Sequence, residues 1–590
     1  MKIVCLVKQV PRADAIEFDQ ETKALRREGV PLLLNPFDAA AVAHAVELRE
    51  RHGGEVIAMT MGPPQAEAAL RTCLALGANR GIHLSDRVFA LADTLGTSRT
   101  ISLAIAKEGG VDLVVCGRKT TDSETWQVPP EVAAFLGYPH LTSVVRTDVD
   151  DGHIHATRET DDGEETWQLE PPAVISLARA LDAEGEAPGR IDVWAASDLV
   201  DDLQDHDKRF GQSGSPTRVL AVRDVTPERG GEIFDAAGDA ASRIRELSPE
   251  RRVDPSSWAK PERLGERPSP ARYDCWTFVE HAEGRPTRTS LELLGKGREL
   301  AGKLGGENVA LVLGSGVDQI VQEVGRYGAE RVLVDDDETL AGYDPEHWST
   351  AVRTIVERYR PHVLLFPATA NGRDLAPRVA GELELGMTGD CVGLGIDRAG
   401  RLIQTKPAYG GNIVSVIMGA TTPQLATVRA RMFEPLDPRD ADPAVERIDA
   451  GELQRAGRVS FVERTVSSAR DLDAAETVVL LGDELSPQEI AEARALADRA
   501  GASVGGTRAV CLRGDLPSNR QIGLYGRPIA PSLIVTVGVG GSFEELTGFV
   551  KAGVVAAIAR GRDAPLLGAA DVGVVGDWRK ALPDLLDAVP

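Results

Sequence analysis

Short apolar runs alternate with helical patterns along the first part of the chain. Residues 3–7, 56–61, 81–84 and 112–116 are apolar runs that predict strands, with amphipathic stretches between them. A helix is predicted to begin at Asn35-Pro36-Phe37-Asp38, because Asn can cap a helix, Pro suits its first turn and an acidic side chain faces the positive end of the helix dipole. Strands that alternate with helices predict a parallel sheet covered on both faces.

The same pattern returns about 250 residues further along the chain. Residues 76–86 (LGANRGIHLSD) match residues 327–336 (YGAERVLVDD), and residues 112–116 match residues 362–366. A repeat of this length predicts two homologous domains that face each other. A further strand–helix unit begins near residue 470.

A stretch rich in charge, Pro and Gly at 183–270 separates the two repeats. We therefore predict a first domain with a C-terminal arm at 1–248, a linker at 249–270, a second domain at 271–455 and a C-terminal domain at 456–590. The predicted fold class is α/β, with two homologous doubly wound parallel-sheet domains and a third domain of flavodoxin- or Rossmann-like type.

Composition excludes several kinds of function. The 590 residues carry 66 basic and 90 acidic side chains, a formal charge of −24, which argues against nucleic acid as the main partner. The six cysteines lack C-x-x-C spacing, so no metal site is expected. The chain contains neither an 18-residue apolar run nor a charged-then-apolar leader, and we therefore expect a cytoplasmic protein that does not insert into membranes.

A glycine-rich turn near the C-terminus is the first candidate for ligand chemistry. The apolar run at 533–537 ends in Gly538-Val539-Gly540-Gly541, and a helix begins after Ser542. Glycine lets the backbone approach a phosphate, and a helix N-terminus offers free N–H groups to an anion. Ser542 and Glu545 also have the spacing of a capping box, so Glu545 has a structural interpretation as well as a functional one.

The neighbourhood of this turn carries a family resemblance. Thr507-Arg508, residues 519–531, residues 563–566 and residues 570–577 follow one another in an order that resembles the flavin domain of the electron transfer flavoprotein α subunit. Other runs of the C-terminal half resemble the same subunit, namely residues 368–378, 404–412 and 426–429.

The N-terminal part resembles the β subunit of the same family. The matching runs are residues 4–11 (VCLVKQVP), 35–38, 61–66 (MGPPQA) and 117–129 (GRKTTDSETWQVP). We interpret the chain as a natural fusion of a β subunit, up to about residue 248, and an α subunit from residue 271.

The resemblance implies two sets of cofactor-binding residues. The FAD contacts of the family fall on Thr507, Arg508, Ile522, Gly523, Leu524, Tyr525, Gly540, Gly541, Ser542, Glu545 and Asp571. The contacts for AMP, or for a second FAD in bifurcating members, fall on Leu6, Asn35, Pro36, Phe37, Asp38, Met61, Gly117, Thr121, Asp122, Thr125 and Gln127.

The FAD set departs from the family pattern at several positions. Asp483 replaces an Arg, Leu524-Tyr525 replaces Gln-Thr, Glu544-Glu545 replaces Gln-His and Ala559 replaces Asn. Arg508 is kept, and its fixed positive charge would favour reduced flavin. A carboxylate at Glu545 would oppose that negative charge unless it only caps the helix.

The resemblance implies an electron carrier with no catalytic residues of its own. The expected donor is a flavoprotein dehydrogenase such as an acyl-CoA dehydrogenase-like enzyme, and the expected acceptor is a quinone oxidoreductase. Two alternatives stay open: a nucleotide-binding scaffold of the same fold that has lost FAD, and a bifurcating member with two FAD molecules.

Overall fold

The computed structural model describes residues 1–15, 29–204, 207–224, 229–248, 258–265, 273–411, 413–448, 457–466, 472–473 and 475–588, and the backbone of 17–18 and 25–26. Most of the predicted linker at 249–270 lies outside these residues. Within them, no helix is both long and apolar enough to cross a membrane.

The first domain is built around a parallel sheet whose central strands are almost entirely buried. Its elements are β1 (Lys2–Leu6), β2 (Gln9–Pro11), β3 (Glu17–Phe18), β4 (Leu25–Arg26), β5 (Leu32–Leu34), α1 (Pro36–His52), β6 (Glu55–Met61), α2 (Glu67–Ala75), β7 (Arg80–Leu84), α3 (Thr94–Glu108), β8 (Leu113–Gly117), α4 (Val128–Leu136), β9 (His140–Asp150), β10 (His153–Glu159), β11 (Gly163–Leu169), β12 (Ala173–Leu177), β13 (Ile191–Trp194) and α5 (Ala196–Leu199). The strand order is β13-β7-β6-β1-β8-β12-β9, and the hairpin β10-β11 extends it from β9.

An arm follows the first domain and reaches the other two. It contains β14 (Thr217–Asp224), β15 (Glu232–Phe234) and α6 (Ala237–Leu247).

The second domain repeats the topology of the first. Its elements are β16 (Cys275–Val279), β17 (His281–Ala282), β18 (Arg285–Pro286), α7 (Arg288–Leu304), β19 (Asn308–Gly314), α8 (Asp318–Arg326), β20 (Arg331–Asp336), α9 (Pro345–Tyr359), β21 (Val363–Pro367), α10 (Ala370–Glu382), β22 (Met387–Cys391), β23 (Gly393–Ile396), β24 (Leu402–Ala408), β25 (Ile413–Gly419), β26 (Gln424–Val428) and β27 (Ala444–Arg447). The strand order β27-β20-β19-β16-β21-β26-β22 matches the first domain strand for strand, which confirms the shared topology expected from the repeat.

The two domains meet through equivalent helices, α4 and α10. They pack closely because α10 carries Gly381, where an added Cβ would lie 2.8 Å from the Cβ of Ala134 on α4. A larger residue at this point would force the helices apart.

The two domains also exchange strands reciprocally. The arm strand β14, which follows the first domain, pairs antiparallel with β25 of the second domain. The strand β28 (Val459–Val466), which follows the second domain, pairs antiparallel with β11 of the first. The strand after the first domain therefore extends a hairpin of the second, and the strand after the second extends a hairpin of the first. A twofold relation between the domains accounts for this reciprocal pairing.

The C-terminal domain is a third parallel sheet. Its elements are β29 (Thr477–Leu481), α11 (Pro487–Ala500), β30 (Ser503–Gly506), α12 (Arg508–Leu512), β31 (Leu533–Val537), α13 (Phe543–Leu546), β32 (Val554–Ala559), α14 (Pro565–Gly568), β33 (Val572–Val575) and α15 (Trp578–Leu586). The strand order is β30-β29-β31-β32-β33-β15, so the arm strand β15 completes the sheet beside β33. Apolar residues of α6, including Ile244, join the core of this domain beside α15.

The strand exchange leads to a stability prediction at Gly163 on β11. An added Cβ there would lie 2.0 Å from the carbonyl oxygen of Thr465 on β28. We expect Gly163→Ala to lower stability by about 1–3 kcal/mol through overpacking, and to expose β28 to protease. Thermal unfolding and limited proteolysis measure both effects.

Gly395 on β23 is the matched control, since an added Cβ there meets no atom within 4 Å. Gly395→Ala is expected to leave the unfolding midpoint close to that of the natural protein. Equal midpoints and equal proteolysis for the two variants would mean that β28 does not pair with β11.

Candidate functional site

The first predicted site lies where strands β1 and β8 separate. In the sheet order, β6 and β7 lie on one side of β1 and β8 lies on the other, and crevices for ligands form at such switch points in doubly wound sheets. Leu6 ends β1, Met61 ends β6 and Gly117 ends β8. All three residues therefore lie at the carboxyl edge of the sheet, as a binding role requires.

Asn35 joins the start of α1 to the loop after β8. Its amide nitrogen donates to the carbonyl oxygen of Lys119 at 3.0 Å, and its amide oxygen accepts the backbone N–H of Thr121 at 3.3 Å. Asn35 occupies the N-cap position and α1 begins at Pro36, as predicted, but the Asn35 side chain makes no capping bond to the helix. The fully buried amide instead satisfies the backbone of a neighbouring loop.

Asp38 joins the same helix to both strand ends. Its carboxylate accepts the backbone N–H of Lys8 at 2.8 Å and that of Gly117 at 3.1 Å. Burial raises the pKa of Asp38 to about 7. A Cβ at Gly117 would lie 2.5 Å from the Asp38 carboxylate, so only glycine allows this approach. Asp38 thus holds the loops that frame the site.

Asp122 is bonded within its own loop. Its carboxylate pairs with Lys8 Nζ at 2.6 Å and accepts the hydroxyl of Thr120 at 2.6 Å. A ligand at this carboxylate would have to share it with Lys8.

Two other predicted contacts face the second domain. The amide nitrogen of Gln127 donates to the carbonyl oxygen of Met387 at 3.1 Å. A Cβ added at Gly389 would lie only 2.4 Å from the carbonyl oxygen of Thr125, so the two backbones are in close contact. In this structure Gln127 and Thr125 therefore hold the loop against the neighbouring domain.

Two cationic side chains lie over the ring of Phe37. The guanidinium carbon of Arg118 lies 5.3 Å from the ring centroid and Lys119 Nζ lies 5.8 Å from it. Pro36 beside it is buried at the first turn of α1. Nearby, Arg118 Nε and Trp126 Nε1 are buried without a hydrogen-bond partner among the described residues. Buried donors without partners are the groups that a polar ligand can satisfy.

Sequence reasoning missed Glu124 in the same loop. Its buried carboxylate accepts the backbone N–H of Gly410 at 3.1 Å and pairs with Arg429 Nη2 at 3.1 Å, both in the second domain. Lys406 Nζ donates to the carbonyl oxygen of Glu124 at 3.1 Å. A single acidic residue in a polar loop gives no signal of such partners, because they lie far away in the sequence.

The second predicted site begins where β30 ends. Arg508 pairs with Asp182 of the first domain at 2.9 Å and donates to the carbonyl oxygen of Ala180 at 3.4 Å. Its guanidinium carbon lies 4.5 Å from the ring centroid of Tyr525. Beside it, the hydroxyl of Thr507 is buried without a partner among the described residues.

Tyr525 brings the two predicted sites together. Its ring centroid lies 6.2 Å from that of Phe37, and its carbonyl oxygen accepts from Arg118 Nη2 at 3.3 Å. The phenol is also bonded to Glu544, and burial raises its pKa well above the usual value. The candidate FAD residues of the C-terminal domain thus face the candidate nucleotide residues of the first.

Glu545 caps the short helix α13. Its carboxylate accepts the backbone N–H groups of Gly541 and Ser542, each at 2.9 Å, and the Ser542 hydroxyl at 3.0 Å. The predicted capping box is confirmed. Gly540 is exposed, so the backbone of the turn stays accessible beside the capped helix.

The remaining predicted FAD residues are buried. Ile522 and Leu524 are nearly inaccessible, and Gly523 between them has a φ of +134°, which glycine adopts without strain. Asp571 accepts the guanidinium of Arg229, from the arm, at 2.6 Å and is 2% exposed. The first three residues shape the loop, and Asp571 anchors the arm.

These residues fit FAD in part. In favour are the Arg508 cation, the buried Thr507 hydroxyl without a partner and the accessible glycine turn. Tyr525 argues against close packing of a flavin, because its side chain lies between Arg508 and Phe37. Where such a cofactor binds, Arg508 and Thr507 would hold it. No cluster of metal-ligating side chains occurs among the described residues.

Comparison with known proteins identifies the family. The electron transfer flavoprotein domain matches residues 22–199 and 275–453, and the electron transfer flavoprotein FAD-binding domain matches residues 471–550. The first match alone covers more than half of the chain. The chain belongs to the electron transfer flavoprotein family.

Relatives of both subunits match it. The electron transfer flavoprotein subunit alpha of Thermoanaerobacterium thermosaccharolyticum is 33% identical over 54% of this chain and 97% of its own length. The subunit beta of the same organism is 38% identical over 40% of this chain and 92% of its own length. The acryloyl-CoA reductase electron transfer subunit beta of Anaerotignum propionicum is 30% identical over 54% of this chain and 95% of its own length. The chain is a fusion of a β-type and an α-type subunit.

The buried carboxyl of Glu131 on α4 leads to a pH prediction. It accepts hydrogen bonds from Ser98, Thr94 and Gln127, and burial raises its pKa from 4.5 to about 8. Because the folded state holds this proton more tightly than the unfolded state, stability falls as the pH rises from about 4.5 to 8, by at most about 1.4 kcal/mol per pH unit.

Glu131→Gln keeps an uncharged polar group in this position. We expect its thermal unfolding midpoint, relative to that of the natural protein, to rise between pH 5 and pH 8. Glu50→Gln, on the exposed surface of α1, is the control and should give no such trend. A difference for Glu131→Gln that stays constant with pH would contradict the raised pKa.

Proposed function

We propose that this chain is a cytoplasmic electron carrier that binds FAD between its C-terminal and first domains. The single observation that supports it best is the position of Arg508 and Thr507, at the end of β30, against the first domain. We propose a flavoprotein dehydrogenase of the acyl-CoA dehydrogenase type as the donor and a quinone oxidoreductase as the acceptor. The relative named as an acryloyl-CoA reductase electron transfer subunit supports an acyl-CoA-linked partner.

FAD, when bound, supplies the reversible uptake of electrons, and the protein positions and tunes it. The guanidinium of Arg508 would offset the negative charge of the reduced cofactor. The Thr507 hydroxyl, buried without a described partner, would gain a hydrogen bond. Gly540, which is exposed, would present its backbone N–H group to the pyrophosphate, whereas those of Gly541 and Ser542 already donate to Glu545.

We propose that the first-domain site holds an adenine nucleotide. The donors Arg118 Nε and Trp126 Nε1, buried without described partners beside Phe37, support a polar ligand there. AMP is the first candidate. A second FAD is the alternative, since Phe37 and Tyr525 bring this site next to the other one.

A scaffold that has lost FAD is the second candidate function. It is favoured by the pairing of Arg508 with Asp182 and by the use of Glu545 as a cap, since both leave fewer groups for a flavin.

The absorbance spectrum of the purified protein and chromatography of the cofactors released on denaturation separate these functions. The carrier requires one FAD per chain, together with AMP or ADP. Two FAD per chain would identify a second flavin in the first-domain site. Absence of flavin, with no thermal stabilisation on adding FAD, would exclude the carrier.

A substitution of Arg508 tests the proposed FAD site most directly. Removal of a charge-assisted contact typically costs about 1.5–3 kcal/mol, so Arg508→Ala should weaken FAD binding roughly ten- to a hundredfold and lower its reduction potential. Arg508→Lys should keep only part of the FAD affinity and part of the reduction potential of the natural protein, since an ammonium cannot reproduce the planar guanidinium. Flavin content and potentiometry measure these effects.

Arg494→Ala, on the exposed face of α11, is the control and should retain the flavin content of the natural protein. If the natural protein holds FAD and Arg508→Ala matches it in content and potential, Arg508 does not face the cofactor.

A further inference from the structure

The second domain has a cavity beside the end of β21, where Ala368 follows the strand and Arg373 lies on α10. The cavity is partly open to solvent. Its walls come from the second domain, including Arg373 and Arg429, and from the C-terminal domain, including Ile529 and Lys551.

Cationic groups of this cavity retain unused hydrogen-bond donors. Arg373 uses Nε and Nη2 on Asp390, and Arg429 uses Nε on Asp390 and Nη2 on Glu124. The Nη1 group of each arginine, and Nζ of Lys551, have no partner among the described residues. Three cationic groups of one cavity thus have donors available to a ligand.

The local charge also favours an anion. Partial burial and the nearby charge of Arg429 lower the pKa of Lys551. Asp473, the acidic residue in the wall, is already paired with Arg527 at 3.1 Å. An anion placed beside Lys551 and Arg429 would relieve the repulsion between these two cations.

We propose that this cavity binds the phosphate group of a small molecule, held by Arg373, Arg429 and Lys551. Guanidinium groups match the geometry of phosphate oxygens, and lysine adds a point charge. The apolar wall of Met432 and Ile529 would contact the organic part of a phosphate ester. None of the proposed FAD contacts lines this cavity, so its ligand would be additional to FAD and to the first-domain nucleotide.

Isothermal titration calorimetry of the full chain tests the proposal with two probes, inorganic phosphate and glycerol 3-phosphate. The natural protein should bind one equivalent of at least one probe. Tighter binding of the ester would indicate an organic phosphate, and equal affinities would indicate free phosphate. Absence of saturable binding of both probes at concentrations up to about 10 mM would overturn the proposal.

Lys551→Gln localises the site. Lys551 lines the cavity and is exposed, so its replacement should leave the fold intact and weaken binding about tenfold or more. Lys580→Gln, on the exposed surface of α15, removes the same charge elsewhere and should retain the affinity of the natural protein. Equal affinity in the natural protein and Lys551→Gln would place the phosphate elsewhere and refute the cavity site.

Discussion

The arrangement of the molecule depends on a buried ionic cluster between its two homologous domains. Asp390 is fully buried and accepts Arg373 at 2.8 Å and Arg429 at 3.2 Å. Burial alone would raise the pKa of Asp390, but the two guanidinium groups hold it at about 2. Because unpaired buried charges are costly, these residues and Glu124 must stay together. The cluster therefore fixes the first-domain loop against the second domain.

The C-terminal domain covers both the first-domain site and the cavity of the second domain. At the first, Arg508 and Tyr525 lie against Asp182 and Phe37. At the second, residues 528–530 and 547–551 cover the cavity lined by Arg429. The arm contributes β15 and the Arg229–Asp571 pair, which attach the C-terminal domain to the first half of the chain. One domain thus covers two sites, and their different side chains suit different ligands.

The sequence predicts the topology well because the evidence for it is local and repeated. The runs at 76–86 and 327–336 hold equivalent places in two sheets of identical strand order. The Ser542–Glu545 capping box is predictable for the same reason, since its partners are three residues apart. The strand exchange is not predictable in this way, because nothing in β28 itself specifies that it pairs with β11.

Contacts at the candidate sites are predicted less well. Asn35 has the residue type of a cap but serves the loop at 119–121, and Gln127 bonds to Met387 in another domain. Arg229, which pairs with Asp571, lies 342 residues away from it in the sequence. Side chains of this kind take their roles from tertiary neighbours, which residue type and spacing do not reveal.

We propose that Arg508 is the cation that holds reduced FAD, and that Asp182, which pairs with it at 2.9 Å, competes for its charge. The reduction potential of bound FAD in Asp182→Asn, compared with that of the natural protein, tests this most directly. We expect an upward shift with FAD bound at least as tightly, because the negative charge beside Arg508 is removed. An unchanged or lower potential, or loss of FAD, would contradict the claim.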